Sequence, residues 1–275
     1  MPLPSHIQFL QNSGIVLQTS DGKNVEIWEL HHTNDDTILS AWAKHFREHY
    51  CKDSEIDELR AGPNLSKKDY LNTIKFPSST LRPGPSTRSG DFGEILVADF
   101  LEFVENYEVL SRHTRYSNKT TPNESTKGSD IIGFRLVDHP DPNPKDELAI
   151  FEAKAKFTGG IKGAKKRLQN AIDDSAKDKM RIAVSLNAMW QRFHDKNMDI
   201  EAEKVRRFQN EVDNPYKTTN GAVALVGVNN YSDLMASTAD ACNHPLKSSL
   251  RLIIIKGRDM MNLVHELYRR AADEA

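Results

Sequence analysis

Apolar residues recur along this chain either at every second position or at a three-to-four-residue spacing, and the switch between the two marks its elements. Ile15-Val16-Leu17-Gln18 and Val25-Glu26-Ile27-Trp28-Glu29-Leu30 read as two strands around Ser20-Asp21-Gly22-Lys23. Asp-Gly between two such runs is a hairpin signal. Asp35-Asp36 then cap a helix over 37–50, with Leu39, Trp42, Ala43, Phe46 and Tyr50 as its apolar stripe. Residues 51–77 are mixed and polar, with short helical stretches at 54–60 and 66–74. The Pro/Ser/Gly-rich run 76–87 breaks the pattern and suggests a boundary, with an N-terminal α+β region over 1–88 and a second domain over 89–275. The same run also suits an ordered loop over a cleft.

Ser89 or Asp91 caps the next helix, which is apolar at Ile95, Leu96, Ala98, Leu101, Phe103 and Val104 and therefore buried. A strand is expected over 107–116 and a polar loop over 116–128. Strands over 131–137 and 148–156 then pair as a hairpin across a turn at His139. One helix over 161–177 follows, then helices over 181–194 and 200–212, buried strands over 221–228 and 250–256, and an amphipathic helix over 259–273. That order predicts an α/β fold with a mixed central sheet flanked by helices.

Composition narrows the class without naming a function. Over 275 residues, 38% are hydrophobic and 28% charged, ordinary values for a soluble globular chain. The longest aliphatic run, Leu252-Ile253-Ile254-Ile255, is too short to cross a bilayer, so no membrane partner is expected. No export signal is read at the N-terminus, and Cys51 and Cys242 are too few for a disulfide framework or a cysteine zinc site. A reducing, cytoplasmic setting is the expectation. His31-His32 lacks further spaced ligands and reads as a polar strand end.

The formal charge is only −2, so affinity for phosphate has to come from a local patch or a partner. Residues 151–181 hold nine Lys/Arg against four acids, a net +5. Lys162, Lys165, Lys166 and Gln169 share one side of the 161–177 helix, as a merely solvated face also would. With Lys156 from the preceding strand and Lys119 from the polar loop, they are the candidate nucleic-acid contacts.

The strand Ile150-Phe151-Glu152-Ala153-Lys154-Ala155-Lys156 places Glu152, Lys154 and Lys156 on one face, and Phe151, Ala153 and Ala155 on the other. The two small alanines leave room for a closely packed neighbour. Upstream, Asp130 opens the partner strand, and Glu94 lies in the first turn of the buried helix. Singly, each has an ordinary use: a turn residue, an acid at a helix N-terminus, a solvent-facing Glu-x-Lys pair. Jointly they meet the needs of phosphodiester hydrolysis. Carboxylates can hold one or two Mg²⁺, and a lysine can orient water or stabilise developing charge.

The order helix-Glu, strand-Asp, strand-Glu-x-Lys resembles the PD-(D/E)XK nuclease superfamily. Gly90-Asp91-Phe92-Gly93-Glu94, Lys127-Gly128-Ser129-Asp130-Ile131-Ile132-Gly133-Phe134-Arg135 and Phe151-Glu152-Ala153-Lys154 further resemble the HamA family, the nuclease subunits of Hachiman antiphage defence. The likeness is clearest over 88–170. It implies a restriction-endonuclease-like core, with Mg²⁺ or Mn²⁺ on Asp130, Glu152 and the Ala153 carbonyl, and Lys154 as the catalytic lysine. It implies that Glu94 is the helix acid, serving a second metal or an outer position, with Gln169 in support. It further implies DNA as substrate and a HamB-like helicase subunit as partner, which fits the near-neutral charge. Ser129 stands where the superfamily pattern has proline. Two other readings remain open at this point: a non-catalytic module that binds DNA or a helicase, and an RNase of the same fold.

Overall fold

A computed structural model describes residues 3–126, 128–138 and 140–275. Lys127 of the resembling string and His139 of the expected turn lie outside the described residues. The first strands are β1 (Leu10–Gln18) and β2 (Asn24–Leu30), followed by α1 (Asp36–Glu48), α2 (Ile56–Ala61), α3 (Lys67–Tyr70) and α4 (Gly84–Asp99). The hairpin β3 (Ile131–Arg135) and β4 (Glu147–Lys156) leads to α5 (Ile161–Lys165), α6 (Arg167–Ser175), α7 (Asp178–Asp195) and α8 (Asp199–Arg206). Then come β5 (Lys217–Gly227), α9 (Leu234–Ser237), β6 (Leu250–Gly257) and α10 (Met260–Asp273).

The strands form one six-stranded sheet in the order β1-β2-β6-β5-β4-β3. The inner four run parallel, and β1 and β3 each add an antiparallel edge. This is the mixed α/β architecture the hydrophobic pattern predicts. Strand β5 is buried on both faces from Asn220 to Gly227, which is why it reads as a continuous apolar run. One sheet face carries Trp28, Phe151, Val223 and Ile253 against α1, α4 and α10. The other carries Ile27, Ala224 and Ile254 against α6 and α9, and continues as Phe134, Leu148 and Ile150 against α7 and α8. Among the described residues no helix is long and apolar enough to cross a membrane.

The small face of β4 admits α4. A Cβ built on Gly93 would lie 3.2 Å from the Ala155 Cβ, so the helix rests almost directly on the strand and brings Glu94 with it. Gly221 of β5 lies under the Phe151 ring, where an added Cβ would be 2.3 Å from two ring carbons. Gly221→Ala is therefore expected to cost about 2–3 kcal/mol through overpacking. That corresponds to a fall of about 5–10 °C in Tm, and an unchanged melting curve would refute it.

Four local expectations need correction. The helix expected to open at Ser89 opens at Gly84, because Pro85 in its first turn starts a helix well. Ser89 and Asp91 are thus interior, and Asp91 is buried against Tyr50. The boundary suggested near residue 88 falls inside α4, and β2 pairs with β6 across it. The strand expected over 107–116 reduces to a single bridge, Glu108 to Phe134, and a turn of 3-10 helix at Leu110–His113. There Arg112 is drawn inward to Asp99 and Glu102. Finally, the helix expected over 161–177 breaks at Lys166 into α5 and α6.

Candidate active site

Strand β4 outruns β3. Their last paired residues are Ile131 and Phe151, so the edge of β4 is open from Glu152 onward. Asp130, just ahead of β3, covers that edge: its Oδ2 accepts the Ala153 N–H at 3.2 Å. A strand residue sends its N–H and C=O to the same edge, so the Ala153 carbonyl faces the same space. Gly128, at φ 95°, supplies the left-handed turn that brings the chain here. Ser129 is then held on three sides. Its N–H donates to Ser185 Oγ at 3.2 Å, its hydroxyl to Asp178 Oδ1 at 2.8 Å, and its carbonyl accepts from Arg115 at 2.7 Å. Proline could make only the last of these bonds, so serine in its place has a structural use.

Glu152 is 3% exposed. Its Oε1 accepts from Lys154 Nζ at 2.5 Å, and its Oε2 is buried without a hydrogen-bond partner among the described residues. Lys154 Nζ also meets Asp174 Oδ2 of α6 at 2.8 Å. Across the site, Glu94 Oε2 accepts from Arg115 Nε at 3.1 Å, the Tyr116 hydroxyl at 2.9 Å and Thr126 Oγ1 at 3.3 Å. Arg115 Nη2 reaches Asp130 Oδ1 at 3.1 Å, so one guanidinium bridges the two acids. Glu94, Asp130, Glu152 and Lys154 all line one cleft of about 1200 Å³, bordered by Arg82, Lys156, Arg167, Arg181 and His265.

Crowded carboxylates in a buried setting resist ionisation. Burial and the charge of Glu152 push Asp130 up to about 7. Burial and the Asp130 charge raise Glu94 as well, against the pull of Arg115. Burial raises Glu152, with Lys154 opposing. Asp178, which the sequence did not single out, is pushed up to about 6 by burial, with the Ser129 bond opposing. Burial works against the charge on Lys154, but Glu152, Asp130 and Asp174 outweigh it and hold the ammonium above its ordinary range.

The donor set is all oxygen, which suits a hard divalent cation, and the orphaned Glu152 Oε2 is the kind of buried group such an ion satisfies. A second cluster does not fit a metal. Single ligand atoms of His6, His45 and Asp99 lie within 4.8 Å of one another. Arg112 Nη1 already donates to Asp99 Oδ1 at 2.5 Å and lies 3.2 Å from His45 Nε2, so a guanidinium holds the place a cation would take.

The structure brings Glu94, Asp130, Glu152, Lys154 and Lys156 to the cleft and leaves the other candidates outside its lining. Lys119 is turned inward, 5% exposed and paired with Asp91 Oδ2 at 2.5 Å. Gln169 ties α6 to the loop after α9, donating to the Asp240 carbonyl at 3.1 Å and accepting its N–H at 2.8 Å. Lys162 and Lys165 lie on α5 and Lys166 at its C-cap, none of them lining the cleft. Arg167 lines the cleft instead, with its Nε buried and unpartnered among the described residues. Arg115, Asp174 and Asp178 lacked any local motif that would mark them. No curated protein matches the chain. The family model for HamA matches residues 5–271, nearly the whole length, and the chain therefore belongs to the HamA family.

Proposed function

We propose that this chain is a divalent-metal-dependent DNA endonuclease that works with a helicase subunit in Hachiman defence. Family membership supports the defence setting. The observation that carries the chemistry is the unpartnered Glu152 Oε2, buried beside Asp130 and the open Ala153 carbonyl. These three groups would hold Mg²⁺ or Mn²⁺, which when bound activates water and neutralises charge on the scissile phosphate.

The chain's own groups divide the remaining work. Lys154, held protonated by Glu152, Asp130 and Asp174, is a poor base and a good electrostatic partner for the phosphorane-like oxygens. Asp174 fixes the ammonium from the α6 side, so it points into the cleft along one direction. Arg82, Lys156, Arg167 and Arg181 border the cleft and are placed to follow a phosphate backbone. Arg167→Ala or Arg181→Ala is expected to weaken DNA binding and to flatten the salt dependence of log K by about 0.9 for each phosphate left without its arginine. Anisotropy titrations over a salt series read this directly, and an unchanged slope removes that arginine from the interface.

The deciding experiment incubates supercoiled plasmid with the purified chain in Mg²⁺ and in EDTA, with and without the helicase. Cleavage should require Mg²⁺ and differ between the lone chain and the complex. Cleavage in EDTA would defeat the metal reading. Equal, unregulated cleavage in both preparations would defeat the partnership. A parallel RNA substrate separates DNase from RNase, and intact defence after Glu152→Ala would favour a binding module.

A further inference from the structure

Arg115 occupies the ground between Glu94 and Asp130. Its Nε donates to Glu94 Oε2 at 3.1 Å, its Nη2 to Asp130 Oδ1 at 3.1 Å and its Nη1 to the Ser129 carbonyl at 2.7 Å. The side chain is only 10% exposed, so these bonds are not loosened by solvent. In sites with two metals, the ions lie about 3.5–4 Å apart and share a carboxylate, with a further acid on the outer ion. Here the shared carboxylate would be Asp130 and the further acid Glu94. The guanidinium already takes an oxygen of each.

One oxygen of Glu94 is saturated. Its Oε2 also accepts the Tyr116 hydroxyl and Thr126 Oγ1, three donors on one oxygen. On the other side of Asp130 the situation is reversed. Oδ2 faces Ala153, and Glu152 Oε2 has no partner among the described residues.

We propose that the site takes one divalent cation, between Asp130 and Glu152, and that Arg115 stands permanently in the place of a second. Glu94 is then a positioning residue: it holds Arg115, and through it one oxygen of Asp130, and does not ligate metal. This rests on the metal reading of the site given above. It also separates Glu94 from the Asp130–Glu152 pair, with which the sequence grouped it.

The test counts Mn²⁺ bound to the full chain, by calorimetry and by electron paramagnetic resonance of the free ion at pH 8. Wild-type protein should bind one ion. Glu94→Gln should still bind one, weakened by no more than about tenfold, as for loss of an outer support. Glu152→Gln should lose measurable binding. Arg115→Met, which vacates the second place, should bind two. A purely structural arginine would not change the count.

Two ions on wild-type protein overturn the proposal while leaving the metal reading intact, and so does loss of the single ion in Glu94→Gln. Arg115→Met remaining at one ion also overturns it. No ion on wild-type protein defeats the metal reading itself. If Arg115→Met fails to fold, the wild-type count and the Glu94→Gln arm decide alone.

Discussion

Glu152→Gln is expected to lower DNA cleavage by about 10³-fold while the protein stays folded. The substitution keeps the shape of the side chain and replaces the buried Oε2, which has no partner among the described residues, with an amide group. It also removes the charge that helps push Asp130 up to about 7. Lys154 keeps a neutral acceptor in the glutamine oxygen and Asp174 at 2.8 Å, so no ammonium is stranded. In EDTA the Tm should therefore hold or rise, because a like charge has been taken from a buried cluster. Plasmid nicking assays and a thermal melt together decide the matter. Cleavage within tenfold of wild type would remove Glu152 from the chemistry, and a collapsed melt would show that its role is structural.

The second large effect links acidity to the cation. Asp130, at about 7, binds a proton in the folded chain over a range where an unfolded aspartate does not. Stability changes with pH as the protons bound unfolded minus those bound folded, which here is negative. The contribution of Asp130 is thus present below its unfolded value and lost as pH rises through about 7. Several buried histidines act oppositely, His6 and His49 among them: burial lowers their folded values, so they favour folding as pH rises toward their ordinary range. An unfolded histidine is half protonated at about pH 6.5, so the histidines still oppose Asp130 above that pH, and its part is read as the difference between wild type and Asp130→Asn. Between about pH 6.5 and 8 the metal-free wild type should lose about 1 kcal/mol more stability than Asp130→Asn, or about 2–4 °C in Tm.

Divalent cation should reverse that trend. Binding needs the ionised carboxylate, so affinity for Mn²⁺ should be about tenfold weaker at pH 6 than at pH 8. At pH 8, a concentration about 100 times Kd should add about 2.7 kcal/mol. Melts in EDTA and in Mn²⁺ at both pH values read all of this. A cation effect of equal size at pH 6 and pH 8 would rule out Asp130 as the titrating ligand.

Much of the fold was legible because burial writes a pattern into the strands. Ala222 to Val226 is an unbroken apolar run and Val25, Ile27, Trp28 and Leu30 are the apolar positions of β2, and in both strands the buried residues fall on both faces of the sheet. Glu152 and Lys154 were legible for the same reason: charged residues two apart on an apolar strand stand out. The cleft lining beyond β4 was not, because Lys162, Lys165, Lys166 and Gln169 share a side that does not line the cleft, and only the tertiary fold decides which side of a helix does. Lys119 was misplaced because its partner, Asp91, is a buried acid one turn from Glu94, a pairing only the tertiary fold creates. Arg115 belongs to a segment without regular repeats, so no period could reveal that it faces the site.

The position of β6 has a consequence for synthesis on the ribosome. It lies between β2 and β5, so Val25 meets Leu252 across most of the chain's length. Until β6 emerges, the first hairpin has no parallel strand to join, and α10, which contributes Met261 and His265 to the cleft, is not yet made. The nascent chain thus carries every acid of the site long before it can complete the cleft around them. A cell making this protein meets a finished cleft only once β6 and α10 have both been made, and such long-range closure is also slow.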